Sequence, residues 1–218
     1  MAIKYYGKRS LLGEVLAATS PSTSAIVIDL IGLNREEAIE LPKDALRNST
    51  ALKAILLSVE SAANSKNSLV RYYSELEKVA RREFENNGIK VITILAPAVM
   101  EELGPYVSSQ RKVFGSYPEA AMPWCSATDV ALRIADENPY NSDRAIRIGH
   151  THIATVEQVL RRIKGDSTAR YAYHHLPPDI LADSYRRRKM DKRDSQIADQ
   201  LPYYQYYVGT ISSRKEKK

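Results

Sequence analysis

Asp29 closes an apolar run, His150 and His152 stand two residues apart, and His174 and His175 are adjacent. A carboxylate at a strand end is where α/β proteins place their chemistry, and histidines at i and i+2 share a face when the chain is extended. Asp29 with His150 and His152 is therefore a candidate hydrolytic or metal-dependent site. The signatures that would specify it are missing. The sequence has no His-Glu-x-x-His, no Gly-x-Ser-x-Gly, no phosphate-cradling glycine loop and no second carboxylate spaced to work with Asp29. Residues 32–35, which follow the first apolar run, lack the glycine pattern a dinucleotide needs. The plainer reading has Asp29 bonding a turn and the histidines at the surface. Cys125, next to Trp124, reads as packing, because no base is tied to it by a known spacing.

Charge gives a second group of candidates. The net charge is +6, and residues 161–218 hold 14 Lys and Arg against 7 Asp and Glu, so all the excess positive charge lies in the last quarter. Arg186, Arg187, Arg188, Lys189, Lys192 and Arg193 would wrap most of a helix, a geometry suited to polyanion contact or to an arm that orders on binding. Seven of the 14 tyrosines lie in the same quarter. Tyr203, Tyr204, Tyr206 and Tyr207 could stack on unpaired bases, or form a strand that docks on a neighbouring subunit. Arg161, Arg162 and Arg170 fall within residues 155–176, which loosely resemble two short helices around a glycine turn, as in duplex-reading units.

The elements that must position these residues are those of an α/β chain. Residues 24–31 and 89–95 read as buried strands, the second stopped by Pro97. Between them Leu52, Ile55, Leu56 and Val59 fall at helical spacing, as do Leu69, Tyr72, Tyr73, Leu76, Val79, Ala80 and Phe84, with Gly88 as a left-handed stop. The expected unit is strand, helix, helix, strand, with residues 38–41 as an added short strand. Residues 98–103 read as a short helix, and Ser126 or Thr128 caps another that runs to about Ala135. Residues 144–149 alternate arginine and isoleucine like an edge strand. Thr155 caps a helix closed by Gly165, and further helical segments are expected at 167–176 and 179–190.

The expected fold is thus α/β: a small mixed sheet with a long helical crossover, then a helical C-terminal region and a basic, tyrosine-rich tail. Its parts would be an N-terminal arm and helix (1–23), the α/β core (24–150), the helical region (151–190) and the tail (191–218). No apolar stretch approaches the length that crosses a bilayer. A single cysteine excludes an internal disulfide and fits a reducing compartment, so an intracellular, cytoplasmic or virion location is expected. The charge distribution favours a non-catalytic protein that binds RNA or single-stranded DNA through the basic residues and tyrosines, without a cofactor. Such a protein would be a subunit of an oligomer such as a viral nucleocapsid or ribonucleoprotein. The alternatives are a structural protein whose arm and tail dock on neighbouring subunits, and the enzyme built on Asp29 and the histidines.

Overall fold

The structure, a computed structural model, describes residues 3–19, 24–51, 53–59, 68–101, 112–114, 122–136, 145–148, 152–168, 170 and 172–174. Its elements are β1 (Ile3–Tyr6), α1 (Ser10–Ala18), β2 (Ala25–Asp29), α2 (Arg35–Arg47), β3 (Lys53–Val59), α3 (Ser68–Glu85), β4 (Lys90–Ala96), β5 (Ala98–Val99), β6 (Lys112–Phe114), β7 (Met122–Cys125), α4 (Ala127–Asp136), β8 (Ala145–Arg147), β9 (His152–Ala154), α5 (Val156–Lys164) and β10 (Ala172–His174). They fall into two units, residues 1–97 with 126–149, and residues 98–125 with 150–218.

The first unit is built on a five-stranded sheet in the order β1-β2-β3-β4-β8, parallel throughout. All five residues of β2 are buried, as are six of the seven in β4. Strands covered on both faces have this near-continuous apolar character. Register shows which helices cover which face. Tyr5, Val27, Ile55 and Ile92 are successive partners across four strands. A Cβ on Gly13 of α1 would lie 2.8 Å from the Tyr5 ring, so α1 packs on that face. One residue further along, Ile28, Leu56 and Thr93 are partners and point the other way. Thr93 Oγ1 donates to Glu77 (2.5 Å) and accepts from Arg81 (2.6 Å), so α3 covers the opposite face. α2 packs on α3 and α1 on α4, which makes two helix pairs, one on each face.

α3 places Tyr73, Leu76, Ala80 and Phe84 inward, all at 3% exposure or less. Its stop is Gly88, at φ 71°, as expected. α4 begins after Ser126, whose Oγ accepts from the Asp129 amide while the Asp129 carboxylate accepts from the Ser126 amide, a reciprocal cap. Among the described residues β8 pairs only with β4 and is the expected edge. Two expectations in this unit are corrected. Residues 53–59 are a strand, because their apolar residues face both helix layers and the helical spacing is incidental. Residues 38–41 lie inside α2, which starts at Asn34 with a full capping box to Glu37 and buries Ala38, Pro42 and Ala45.

In the second unit β5 pairs parallel with β7, β7 antiparallel with β9, and β6 parallel with β10. Trp124 is 1% exposed and donates its indole N–H to the Ala154 carbonyl at 2.9 Å, and Cys125 beside it is buried. α5 carries the expected cap, Thr155 with Gln158, and ends at Gly165 with φ 65°. Residues 98–99 are a strand, where a helix was expected, and 172–174 form β10 in place of helix. In both places the backbone bonds go to a neighbouring strand, a non-local choice that overrides local helical preference. The segments at 179–190 and 191–218 lie outside the described residues.

Candidate functional site at the carboxyl ends of the sheet

β1 and β2 run parallel and end level, and their continuations part: α1 goes to one face and α2 to the other. Between them lie the carboxyl ends of the strands, the position where open α/β sheets bind ligands. Residues 7–9 form one rim. Gly7 is required there, because a Cβ would stand 2.6 Å from both the Asp29 Cβ and the Tyr5 hydroxyl. Gly13, one and a half turns further on, has the same role between α1 and β1. The α1 N-cap, Arg9, has no side-chain cap bond, and the first turn holds no acidic residue. Its amides and the helix dipole thus present a positive end that no acidic residue of the helix's own first turn neutralises.

The other rim, residues 30–34, is held from several sides. Tyr73 of α3 accepts the Gly32 amide on its hydroxyl at 3.0 Å, Gly32 being at φ 80°, and Tyr72 donates to the Leu33 carbonyl at 3.2 Å. The two rings meet edge to face, with centroids 5.6 Å apart. Lys8 pairs with Glu37 at 3.0 Å and links the rims. Beneath them lies a closed ion pair. The Arg9 guanidinium grips Asp29 through Nε (2.5 Å) and Nη2 (2.9 Å), while Tyr5 donates to the same carboxylate at 2.7 Å and the Ile31 amide at 3.2 Å. Arg9 is 3% and Asp29 0% exposed. On β3, the Ser58 hydroxyl is buried and has no hydrogen-bond partner among the described residues.

Burial pushes the Tyr73 hydroxyl up to about 12, with the Gly32 hydrogen bond opposing and the Asp29 carboxylate adding to the rise. The folded protein holds this proton more tightly than the unfolded chain, whose tyrosines titrate near 10. The resulting stabilisation, about 2–3 kcal/mol, is complete below pH 10 and is lost as pH rises towards 12. Urea unfolding between pH 8 and pH 11.5 is expected to show this decline, and Tyr73→Phe to flatten it. An unchanged slope in the variant would assign the decline to other groups.

A cavity of about 550 Å³ at the opposite end of the sheet is lined by Lys4, Arg47, Asn48, Ser49 and Thr50. Lys4 there donates to the Asn48 carbonyl and closes the end of α2, a structural use of its charge.

The structure places Asp29 at the carboxyl end of β2, as expected of a strand-end carboxylate. His152 and His174 lie in β9 and β10 of the second unit, and His150 and His175 fall outside the described residues. Among the described residues no cluster of His, Cys, Asp and Glu could hold a metal. Of the residues expected to bind nucleic acid, Arg161 pairs with Glu157 at 2.6 Å and, like Arg162, sits in the last turn of α5, where a cation complements the helix end. Arg170 is exposed. Arg186, Arg187, Arg188, Lys189, Lys192, Arg193, Tyr203, Tyr204, Tyr206 and Tyr207 lie outside the described residues. The Gly7 turn was missed. Its signal was present, two glycines six apart bracketing a basic pair and an apolar helix, but Lys4 and two tyrosines disguised the strand before it.

No protein-family model matches the chain, and no curated protein matches it either. Solved structures do. Triphenylmethane reductase of Citrobacter sp., complexed with NADP(H), superposes with a TM-score of 0.57 over 97% of this chain and 95% of its own, at 8% identity. A nucleoside-diphosphate-sugar epimerase from Staphylococcus aureus gives 0.53 over 98% and 96%, at 13% identity. MoeE5, in complex with UDP-glucuronic acid and NAD, gives 0.51 over 94% and 99%, at 10% identity. At such identities the likeness is one of fold: a Rossmann-like α/β arrangement, in agreement with the expected class. It corrects the expected function. A non-catalytic, nucleic-acid-binding subunit of a nucleocapsid or ribonucleoprotein does not agree with a fold whose solved neighbours include a reductase complexed with NADP(H), a nucleoside-diphosphate-sugar epimerase and a protein in complex with UDP-glucuronic acid and NAD. The charge asymmetry behind that expectation is informative about solubility and association, and says nothing of the fold. No described helix is long and apolar enough to cross a membrane.

Proposed function

We propose that this protein is an NAD(P)-linked oxidoreductase whose cofactor lies across the carboxyl ends of β1, β2 and β3. The observation that carries this reading is the parting of the turns after β1 and β2 at the carboxyl ends of the strands. There a glycine turn leads into the uncapped, acid-free N-terminus of α1, as a pyrophosphate requires. A bound nicotinamide would supply hydride transfer. The amides of the first turn of α1 would hold its phosphates, and Tyr72 and Tyr73 would fix the opposite rim. The turn departs from the usual fingerprint: counted from Gly7, Arg9 and Leu12 stand where further glycines are the rule, so the fit concerns the phosphates at the helix end.

Titration of the full chain with NADPH and NADH, followed by nicotinamide fluorescence, tests the reading. Saturable binding is expected, and Leu11→Glu is the discriminating variant. Leu11 lies in the first turn of α1 and is 37% exposed. A carboxylate there favours the helix dipole by about 0.3–1 kcal/mol. The same charge a few ångströms from a phosphate costs binding about 1–3 kcal/mol, or roughly tenfold to a hundredfold in Kd. Weaker cofactor binding at undiminished thermal stability is the expected pair of results. No binding of either nucleotide at millimolar concentration would sink the proposal.

A further inference from the structure

We propose that the cavity at the amino ends of β1, β2 and β3 is a second binding site, which takes a phosphate group, either free or as the monoester of a small metabolite. It lies at the opposite end of the strands from the cofactor site and does not depend on the cofactor reading. Its volume, about 550 Å³, is that of pockets that hold small molecules. Lys4 of β1, Ser24 before β2, the last turn of α2 and residues 48–51, which lead into β3, form its lining.

The chemistry of that lining is one-sided. Lys4, Arg47, Ser24, Asn48, Ser49 and Thr50 all bring donors, and among the described residues no carboxylate lines the cavity. Lys4 spends one proton on the Asn48 carbonyl, the bond that closes α2. An ammonium carries three, and among the described residues nothing accepts the other two. Ser49 accepts the Ala51 amide at 3.2 Å, which leaves its hydroxyl proton to be donated. Two negative contributions oppose an anion. The end of α2 carries about half a unit of negative charge, and Lys4, seated on the last carbonyl, offsets it. Asp44 pairs with Arg47 at 3.2 Å, but the side chains are 52% and 71% exposed. Such a bridge is weak, and an incoming phosphate, which suits the planar guanidinium fork, can displace it. Leu46 and Ala51 add apolar wall, so the cavity has room for the carbon skeleton of an ester as well as for its phosphate.

The experiment is a backbone-amide chemical-shift titration of the full chain with glycerol 3-phosphate, inorganic phosphate and acetate, at an ionic strength held constant with sodium chloride. Saturable shifts at Ser24, Ser49 and Thr50 are expected with both phosphates, at a Kd of about 1 mM, with acetate at least tenfold weaker. A tighter ester assigns the site to a metabolite, and equal affinities assign it to the free ion. Lys4→Gln should weaken binding about tenfold. Asp44→Asn should tighten it about threefold by releasing Arg47, a gain that a damaged fold would not produce. Leu11→Glu, at the far end of the strands, should leave these shifts unchanged. Shifts confined to residues 8–12, shifts that do not saturate, or a Kd that neither Lys4→Gln nor Asp44→Asn moves would each overturn the proposal. The cofactor reading would stand in all three cases.

Discussion

Asp29→Asn is expected to lower the unfolding free energy by about 3–5 kcal/mol, the cost of breaking a buried ion pair from one side. The amide keeps the shape of the carboxylate and loses its charge, so the Arg9 guanidinium, 3% exposed, loses the Asp29 negative charge beside it in the interior. Asn offers one acceptor oxygen where the donors use two, so one of the bonds from Tyr5 and the Ile31 amide, and one of the two from Arg9, is lost together with the charge. The control is Arg9→Met with Asp29→Leu. Replacing both partners by apolar side chains removes the desolvation cost along with the attraction, and such a swap is often neutral or stabilising. Urea denaturation of the single and double variants closes the comparison. A single substitution costing under about 1 kcal/mol would mean that water reaches the pair and that it behaves as a surface bridge.

Phe84→Ala is expected to cost about 3–5 kcal/mol, the usual range for truncating a buried aromatic side chain. Phe84 is 0% exposed in the last turn of α3, and its carbonyl accepts from the amides of Asn87 and Ile89, which carry the chain into β4. The hole left there lies under the junction of helix and strand, where a small residue leaves the neighbours unable to collapse without moving the turn. The urea midpoint should fall with the slope unchanged. Leu132→Ala, in α4 and 54% exposed, should shift the midpoint by no more than about 0.5 kcal/mol equivalent. If both variants lose the same amount, packing on α3 is looser than its burial implies.

The sequence made some of these elements legible because their signals are local. α3 carries its apolar row at 3.6-residue spacing and a glycine stop, while α4 and α5 announce themselves by Ser126 and Thr155. β2 and β4 were legible as apolar runs closed by turn residues. β3 was not, because a strand buried on both faces has no alternation to read, and Ile55, Leu56 and Leu57 satisfy a helix template equally well. α2 was hidden by Pro42, which argues against a helix interior, although the Asn34–Glu37 box was there to be found. The candidate site was harder. Asp29 was noticed for its place at a strand end, yet its partners Arg9 and Tyr5 lie 20 and 24 residues away, and only strand pairing brings them together. The basic stretch drew attention because it is contiguous, and contiguity is what a sequence displays most readily.

The sheet order also fixes a timetable. β2, β3 and β4 each pair with the strand before them in the chain. A chain growing from its N-terminus therefore offers every new strand an edge already in place, with a loop no longer than one helix to close. β8 is the exception. Its partner β4 ends at Ala96, and residues 98–125 of the second unit intervene before the chain returns through α4 to that edge. Such long-separated pairings are the slow ones. Until β8 arrives, the outer edge of β4 is an open template, and synthesis of this stretch is the interval in which the nascent protein is most exposed to pairing with another copy.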